Sequence, residues 1–364
     1  MAKIDSSGIR KVFDLAARIK DPINLSIGQP HYDVPDAVKD ACIDAIRTGK
    51  NRYTPTQGTQ QLRDKVKWYL EKSRGGWTGE DLFIVSGTSG GIMLALLVLV
   101  DEGDEVIISD PYFVMYKHLV NLCAGKPVFV DTYPDFKLTA DRVEKAITPK
   151  TKLVIVNSPN NPSGAVYTRS ELAALAGVLD KHNLLAISDE IYEFFSYDEK
   201  FTSLVEVYPQ GTLLLGGFSK TWSMTGWRLG YAAGPGDVIR EMITLQQYSF
   251  VCAPSMVQES GVAALDVDPI PYREEYRRKR DLIYEGLVKS FEVHKPGGAF
   301  YIFPKVPWGT DETFVTRAIE KGILVIPGSV FSEKHTHFRI SYATDERMIR
   351  RGIDTLCALA DQGE

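Results

Sequence analysis

Lys220 stands just past an apolar run, TLLLG (212–216), in the segment GFSKTWSMTGWRLG (Gly217 to Gly230). A lysine held among small and aromatic residues is partly desolvated. Burial penalises its charged form, lowers its pKa and frees the amine for Schiff-base chemistry. A single lysine is ordinarily a surface residue, but here both the position and the surrounding segment oppose that reading. Arg228 follows eight positions later, where a guanidinium could hold a phosphate. A second apolar run, LLAIS (184–188), ends in Asp189-Glu190-Ile191-Tyr192. Such a carboxylate could hold Mg²⁺ beside a phosphate-binding loop, or face a cationic ring nitrogen. The first option would make Lys220-Thr221 the Lys-Thr of that loop and require glycine at 219 and 214. Ser219 and Leu214 stand there instead, so the nucleotide-hydrolase reading fails.

Three further segments are rich in polar function. SGTSGG (Ser86 to Gly91) leads from the run LFIV (82–85) into an apolar helix, and small residues at a helix start let backbone amides approach an anion. Taken alone it reads equally as a tight turn. Asp110-Pro111-Tyr112-Phe113 follows EVIIS (105–109) and offers an aromatic cover for a planar ring, or ordinary packing. NSPNNPSG (Asn157 to Gly164) follows KLVIV (152–156), where two prolines force an exposed turn dense in amides.

The elements that must position these residues alternate along the chain. The runs named above, with PVFV (127–130) and RLGYAAG (228–234), are nearly continuous in Val, Ile and Leu and bounded by Gly, Pro or Asp. That is how strands buried on both faces read. Helical stretches such as SELAALAGVLDKH (170–182) lie between them, which predicts a doubly wound α/β sheet with mostly parallel strands. Ligands of such sheets bind outside the carboxyl ends of the strands. Earlier, Ile9, Val12, Phe13, Ala16 and Ile19 predict a helix stopped by Asp21-Pro22. Beyond Asp266, PYREEYRRKRDLIYEGLVKSF (271–291) predicts one long charged helix. Short strands are expected near Ala299–Phe303, Leu324–Ile326 and His337–Ser341.

Composition narrows the setting. The chain has 364 residues, 44% hydrophobic and 24% charged, which excludes disordered, collagen-like and coiled-coil classes and allows about two domains. A net charge of −5 without a long basic run speaks against nucleic acid or an anionic membrane as partner. Cys42, Cys123, Cys252 and Cys357 are far apart, as free thiols of a reducing cytoplasm would be. The apolar run Gly90–Val100 is shorter than the ~20 residues that span a bilayer, so it reads as a core helix. Charges at Arg10, Lys11, Arg18 and Lys20 leave no signal-peptide core. His335 and His337 would share a strand face, but no third ligand accompanies them, so no metal is expected.

The segment GFSKTWSMTGWRLG resembles the lysine motif of class I and II pyridoxal-phosphate-dependent aminotransferases, the fold type I enzymes similar to aspartate aminotransferase. The resemblance runs from SIGQP near residue 26 to FRISYA (338–343). It implies that Lys220 forms the Schiff base with pyridoxal 5'-phosphate and that Asp189 keeps the ring nitrogen protonated, making the ring an electron sink. It further implies that Tyr192 and Asn161 bind the ring oxygen and that Phe113, with Tyr112 as fallback, stacks on the ring. Thr88, Ser89 and Arg228 would hold the phosphate, and Arg339 would clamp the substrate α-carboxylate, with Gly28 nearby. Tyr53 resembles the tyrosine that reaches the partner subunit's phosphate, which implies a homodimer with shared active sites. One residue departs from the pattern: many relatives carry Ser three positions before the lysine, where this chain has Gly217.

The resemblance thus implies a cytoplasmic transaminase of amino-acid metabolism, moving an amino group between an L-amino acid and a 2-oxo acid with ping-pong kinetics. A large cofactor domain (38–265) and a smaller α+β domain from both chain ends (1–37 with 266–364) are expected, with the site in their cleft. A carbon–sulfur β-lyase is the alternative, since reaction specificity depends on substrate orientation rather than fold. A non-catalytic, aminotransferase-like binding protein is a third reading. For the substrate side chain, Tyr32, Phe113, Tyr116 and Phe300 form an aromatic set that would favour apolar donors, unless they are core.

Overall fold

The computed structural model describes residues 21–75, 77 and 81–363, so the helix expected over Ile9–Ile19 lies outside the described residues. The chain opens with a two-residue strand β1 (Ile23–Asn24), then helices α1 (Asp36–Arg47) and α2 (Gln60–Ser73). Strict alternation follows: β2 (Asp81–Val85), α3 (Gly87–Leu99), β3 (Glu105–Asp110), α4 (Met115–Leu122), β4 (Lys126–Asp131), α5 (Ala140–Ala146) and β5 (Thr151–Asn157). The chain goes on through α6 (Arg169–Lys181), β6 (Leu185–Asp189), β7 (Thr212–Gly217), β8 (Gly230–Gly234), α7 (Gly236–Gln247) and α8 (Ser255–Ala264), where three successive strands and then two helices end the alternation. The last part holds α9 (Ile270–Leu287), β9 (Tyr301–Ile302), α10 (Asp311–Glu320), β10 (Ile323–Leu324), β11 (Ile326–Pro327), β12 (Phe338–Ser341) and α11 (Glu346–Asp361).

Seven of these strands form one sheet in the order β2-β8-β7-β6-β5-β3-β4. Strands β3 to β7 run parallel. Between β2 and β7, β8 runs antiparallel to both, which gives the mostly parallel sheet expected from the sequence. That strand is also shorter than its apolar run, because Arg228 adopts a left-handed conformation (φ 56°) and delays pairing until Gly230. The chain goes from β3 outward to β4 and returns to β5 on the other side, so the order reverses between the ends of β3 and β5.

Local sequence explains the layers. Helix α3, GTSGGIMLALLVL, is apolar on all sides and buried on most of its length from Gly87 to Leu96, as a helix enclosed by sheet and neighbours must be, while Leu97 in its last turn is exposed. Helix α6 starts at a capping box, Thr168 with Glu171, and buries Leu172, Leu175 and Leu179. The long charged helix ends at Leu287 rather than Phe291, because Phe291 turns inward to pack on Phe314 and Phe338.

Both chain ends build the second, smaller layer. β1 pairs in parallel with β10, and β11, β12 and β9 form an antiparallel sheet. The single strand expected at Leu324–Ile326 is split at Val325, because its two halves pair with different partners. The amide of Ser341 donates to the Leu25 carbonyl, which sets the segment after β1 against β12. No helix among the described residues is long and apolar enough to cross a membrane.

Candidate active site

A cavity of about 320 Å³ opens at the carboxyl ends of the parallel strands, beside the point where the strand order reverses. Thr88 and Ser89 reach it from the first turn of α3, Phe113 from the loop after β3, and Asn157 and Asn161 from the end of β5 and its loop. Asp189 and Tyr192 come from the end of β6, and Lys220 and Arg228 from the long β7–β8 connection. The opposite wall belongs to the second layer: Gly28, Tyr301 of β9 and Arg339 of β12.

Lys220 Nζ donates to the Gly28 carbonyl at 2.6 Å. Burial, reinforced by the positive charges of Arg339 and Arg228, lowers its pKa to about 8. Asp189 is 3% exposed and accepts from the Tyr116 hydroxyl at 2.6 Å and the Ile191 amide at 3.3 Å. Burial raises its pKa to about 6, even against those hydrogen bonds. A cation placed beside it would restore full ionisation. Asn157 donates to the Asp189 carbonyl and accepts from the Asn161 amide, which locks the amide-rich turn against β6.

Arg339 is 1% exposed. Its Nη1 donates to Asn161 Oδ1 at 3.0 Å and its Nη2 to the Ser26 carbonyl at 2.9 Å, while its Nε finds no partner. The rings of Tyr301 and Phe331 lie 4.5 and 4.6 Å from the guanidinium carbon. Tyr192 and Tyr301 share a hydroxyl–hydroxyl bond of 2.8 Å. Near the start of α3, Arg228 packs against Gly87, whose φ of +69° and 2.5 Å from a would-be Cβ to Nη2 exclude any side chain.

Ten of the eleven residues picked from sequence therefore line one cavity. Tyr53 does not: it is 85% exposed and outside it. Between the two aromatics after Pro111, Phe113 faces the cavity, whereas Tyr112 stacks on Phe129 and donates to Glu333. The proposed aromatic specificity set divides. Phe113 and Tyr116 line the cavity, but Phe300 is fully buried against Tyr276 and Tyr192, and Tyr32 stacks on Tyr272. Neither Phe300 nor Tyr32 lines the pocket itself: Phe300 backs its wall, with Lys220 Nζ 5.9 Å from its ring centroid, and the Tyr32 ring stacks outside it. Sequence reasoning gave Tyr116 no contact with Asp189 and missed Tyr301. The signal for Tyr116 was its place at the start of the helix that follows Phe113, whose ring it meets edge-on at 5.6 Å.

Gly217 has a steric reason. A Cβ there would meet Thr88 Oγ1 at 2.7 Å and Ile191 Cδ1 at 3.2 Å, so the Thr88 hydroxyl occupies the space a serine would take. Glu190 points away from the cavity to Arg74, which also pairs with Glu193, and all three are buried. Of the two histidines, His335 bonds Asp311 while His337 stacks on Phe303, so they do not converge. Among the described residues no three His, Cys, Asp or Glu side chains gather as a metal site.

These residues fit a phosphorylated pyridine aldehyde. An amine of lowered pKa, a buried carboxylate and an aromatic face line one cavity with the glycine-bounded helix start beside Arg228. The unpartnered Nε of Arg339 adds a donor awaiting an anion. Comparison with known proteins agrees. The family model described as Aminotransferase class I and II matches residues 20–356. A probable aspartate aminotransferase of Methanocaldococcus jannaschii is 38% identical over 96% of this chain and 96% of that protein. An aromatic-amino-acid aminotransferase 2 of Thermococcus litoralis is 36% identical over 97% of this chain and 95% of that one. The structure of Thermus thermophilus aspartate aminotransferase with maleate superposes with a TM-score of 0.94 at 34% identity, covering 98% of this chain and 97% of that chain. The chain belongs to the class I and II aminotransferases and is a transaminase whose cofactor is pyridoxal phosphate.

Proposed function

We propose that this transaminase moves an amino group between an L-amino acid and a 2-oxo acid, with Lys220 as both the cofactor-bonding amine and the general base. The observation that carries this reading is the buried Lys220 amine, of pKa about 8, in one cavity with Asp189 and Arg339. Bound there, pyridoxal phosphate supplies an aldehyde that takes up amines and a ring that accepts the electron pair released at the substrate Cα. Thr88, Ser89 and Arg228 hold its phosphate, and Phe113 covers its ring face. Tyr192 and Asn161 hydrogen-bond the ring oxygen, and Asp189, as a carboxylate, keeps the ring nitrogen protonated. Arg339 takes the substrate α-carboxylate beside Gly28. With the cofactor engaged by the substrate amine, Lys220 would be the group placed to move the α-proton, and its lowered pKa makes the neutral, basic form accessible near neutral pH. The first product departs before the second substrate enters, which gives ping-pong kinetics.

We propose further that residues 38–265 form the cofactor domain and residues 1–37 with 266–364 the smaller one, with the substrate between them. A homodimer with shared sites fits the exposure of Tyr53 and Tyr248, each 85%. A cytoplasmic role in amino-acid biosynthesis fits the free cysteines and the net charge of −5. The test combines a spectrum with a donor panel. Purified protein should show a visible absorption band that Lys220→Ala abolishes. Its band should bleach with amino donors and return with 2-oxoglutarate. Relatives named for aspartate and for aromatic amino acids both match, so the panel spans both classes. Pyruvate and ammonia released from cysteine conjugates without amino transfer would replace this reading by the β-lyase. A protein that stays colourless with added cofactor would leave only a binding protein.

A further inference from the structure

The segment that supplies Gly28 to the cavity runs on over the lysine loop. Tyr32 lies on it, and its hydroxyl is 3.0 Å from the Lys220 carbonyl and 3.0 Å from the Thr221 carbonyl. Among the described residues no other hydrogen bond reaches either oxygen. Buried backbone carbonyls need partners, and Thr221 is only 2% exposed. The loop is also conformationally costly, with Ser223 at φ 57° and Arg228 at φ 56°. Such non-glycine residues persist only where the surroundings over-determine them. Ser223 Oγ returns the contact by donating to the Tyr32 carbonyl at 2.6 Å. The phenol itself is held by α9: its ring stacks on Tyr272 with centroids 3.8 Å apart and planes at 9°.

We propose that Tyr32 is a positioning residue for Lys220, fixing the peptide that carries the reactive amine. This rests on Lys220 being the cofactor-bonding lysine. The lysine is gripped twice by one segment, at its backbone by Tyr32 and at its amine by the Gly28 carbonyl, 2.6 Å away. The amine must leave Gly28 to work. Its four-carbon stem has many rotamers, so only the backbone anchor then limits where Nζ can travel. Phenylalanine at 32 would keep the stack and the volume and remove the single O–H that the two carbonyls share.

The experiment compares holoenzyme of wild type, Tyr32→Phe and Tyr272→Leu, with Lys220→Ala as reference. Readouts are kcat, KM, thermal midpoint and circular dichroism in the visible band, which reports how the bound chromophore is oriented. Tyr32→Phe should lower kcat roughly tenfold, because small misplacements of a reacting group are costly. KM should stay within about twofold, since substrate contacts are untouched. The visible dichroism should weaken, and the midpoint should move by no more than about 4 °C. Tyr272→Leu, which keeps the hydroxyl, should lose less kcat than Tyr32→Phe. Unchanged kcat and dichroism in Tyr32→Phe overturn the proposal. So does a kcat loss that disappears well below the thermal midpoint, which marks a merely structural role. A wild type whose spectrum matches Lys220→Ala would instead overturn the assignment of Lys220 itself.

Discussion

Replacing Arg339 by lysine isolates what a guanidinium does that a charge alone does not. The group carries five N–H donors, of which one goes to Asn161 Oδ1 and one to the Ser26 carbonyl. Three remain, and the one on Nε is buried without a partner, so a carboxylate can be taken in bidentate fashion. Truncating a buried, hydrogen-bonded charge pair costs about 2–5 kcal/mol. Lysine keeps the charge and loses the fork, which places the expected cost in the lower part of that range, about 2–3 kcal/mol. At 1.36 kcal/mol per decade this is roughly a 30- to 150-fold loss of kcat/KM for an amino acid. The assay pairs that donor with the corresponding amine lacking the α-carboxylate, whose poor turnover should be nearly unchanged by the substitution. Far-ultraviolet dichroism and the thermal midpoint check that the variant is folded. An equal loss for both donors, or less than about a threefold loss for the amino acid, would refute the carboxylate role.

In cofactor-free protein the Lys220 amine should react with trinitrobenzenesulfonate at a rate that rises through pH 8. Arg228→Gln removes a repelling charge and should move that rise upward, whereas titration above pH 10 in both proteins would contradict the burial argument. Gly217→Ser should weaken cofactor retention in dialysis because the new side chain meets Thr88 Oγ1, and retention equal to wild type would refute the steric account. Arg74→Met leaves Glu190 and Glu193 buried without their cation. It should cost about 3–5 kcal/mol in urea unfolding at pH 7, and less at pH 5 as the carboxylates take up protons.

How far the sequence carried depended on what kind of fact was sought. Strand ends were legible because a run such as LLAIS announces a buried strand and the residue after it must emerge at the sheet edge. Hence Asp189 and Lys220 could be placed in one site. The reversed direction of β8 was not legible, since an apolar run reads alike in either sense and pairing direction is decided by tertiary packing. Aromatic identity also misled. Phe300 and Tyr301 are neighbours in sequence and in space, their ring centroids 4.9 Å apart, yet only Tyr301, the first residue of β9, reaches the cavity, while Phe300 is sealed among Tyr192, Phe195 and Tyr276. Tyr32 reads as a pocket wall until its hydroxyl is found on the Lys220 and Thr221 carbonyls, contacts across about 190 residues that no local pattern encodes.

The pairing of Ile23 with Ile323 has a consequence in time. A ribosome delivers β8, the last strand of the seven-stranded sheet, when residue 234 emerges. The partner of β1 does not exist until residue 324. At ~5–20 residues per second that interval lasts roughly 5–20 s, during which the N-terminal strand waits unpaired. Throughout it Lys220 and Asp189 have been made and Arg339 has not. The nascent enzyme therefore acquires the parts that receive its cofactor before the part that receives its substrate.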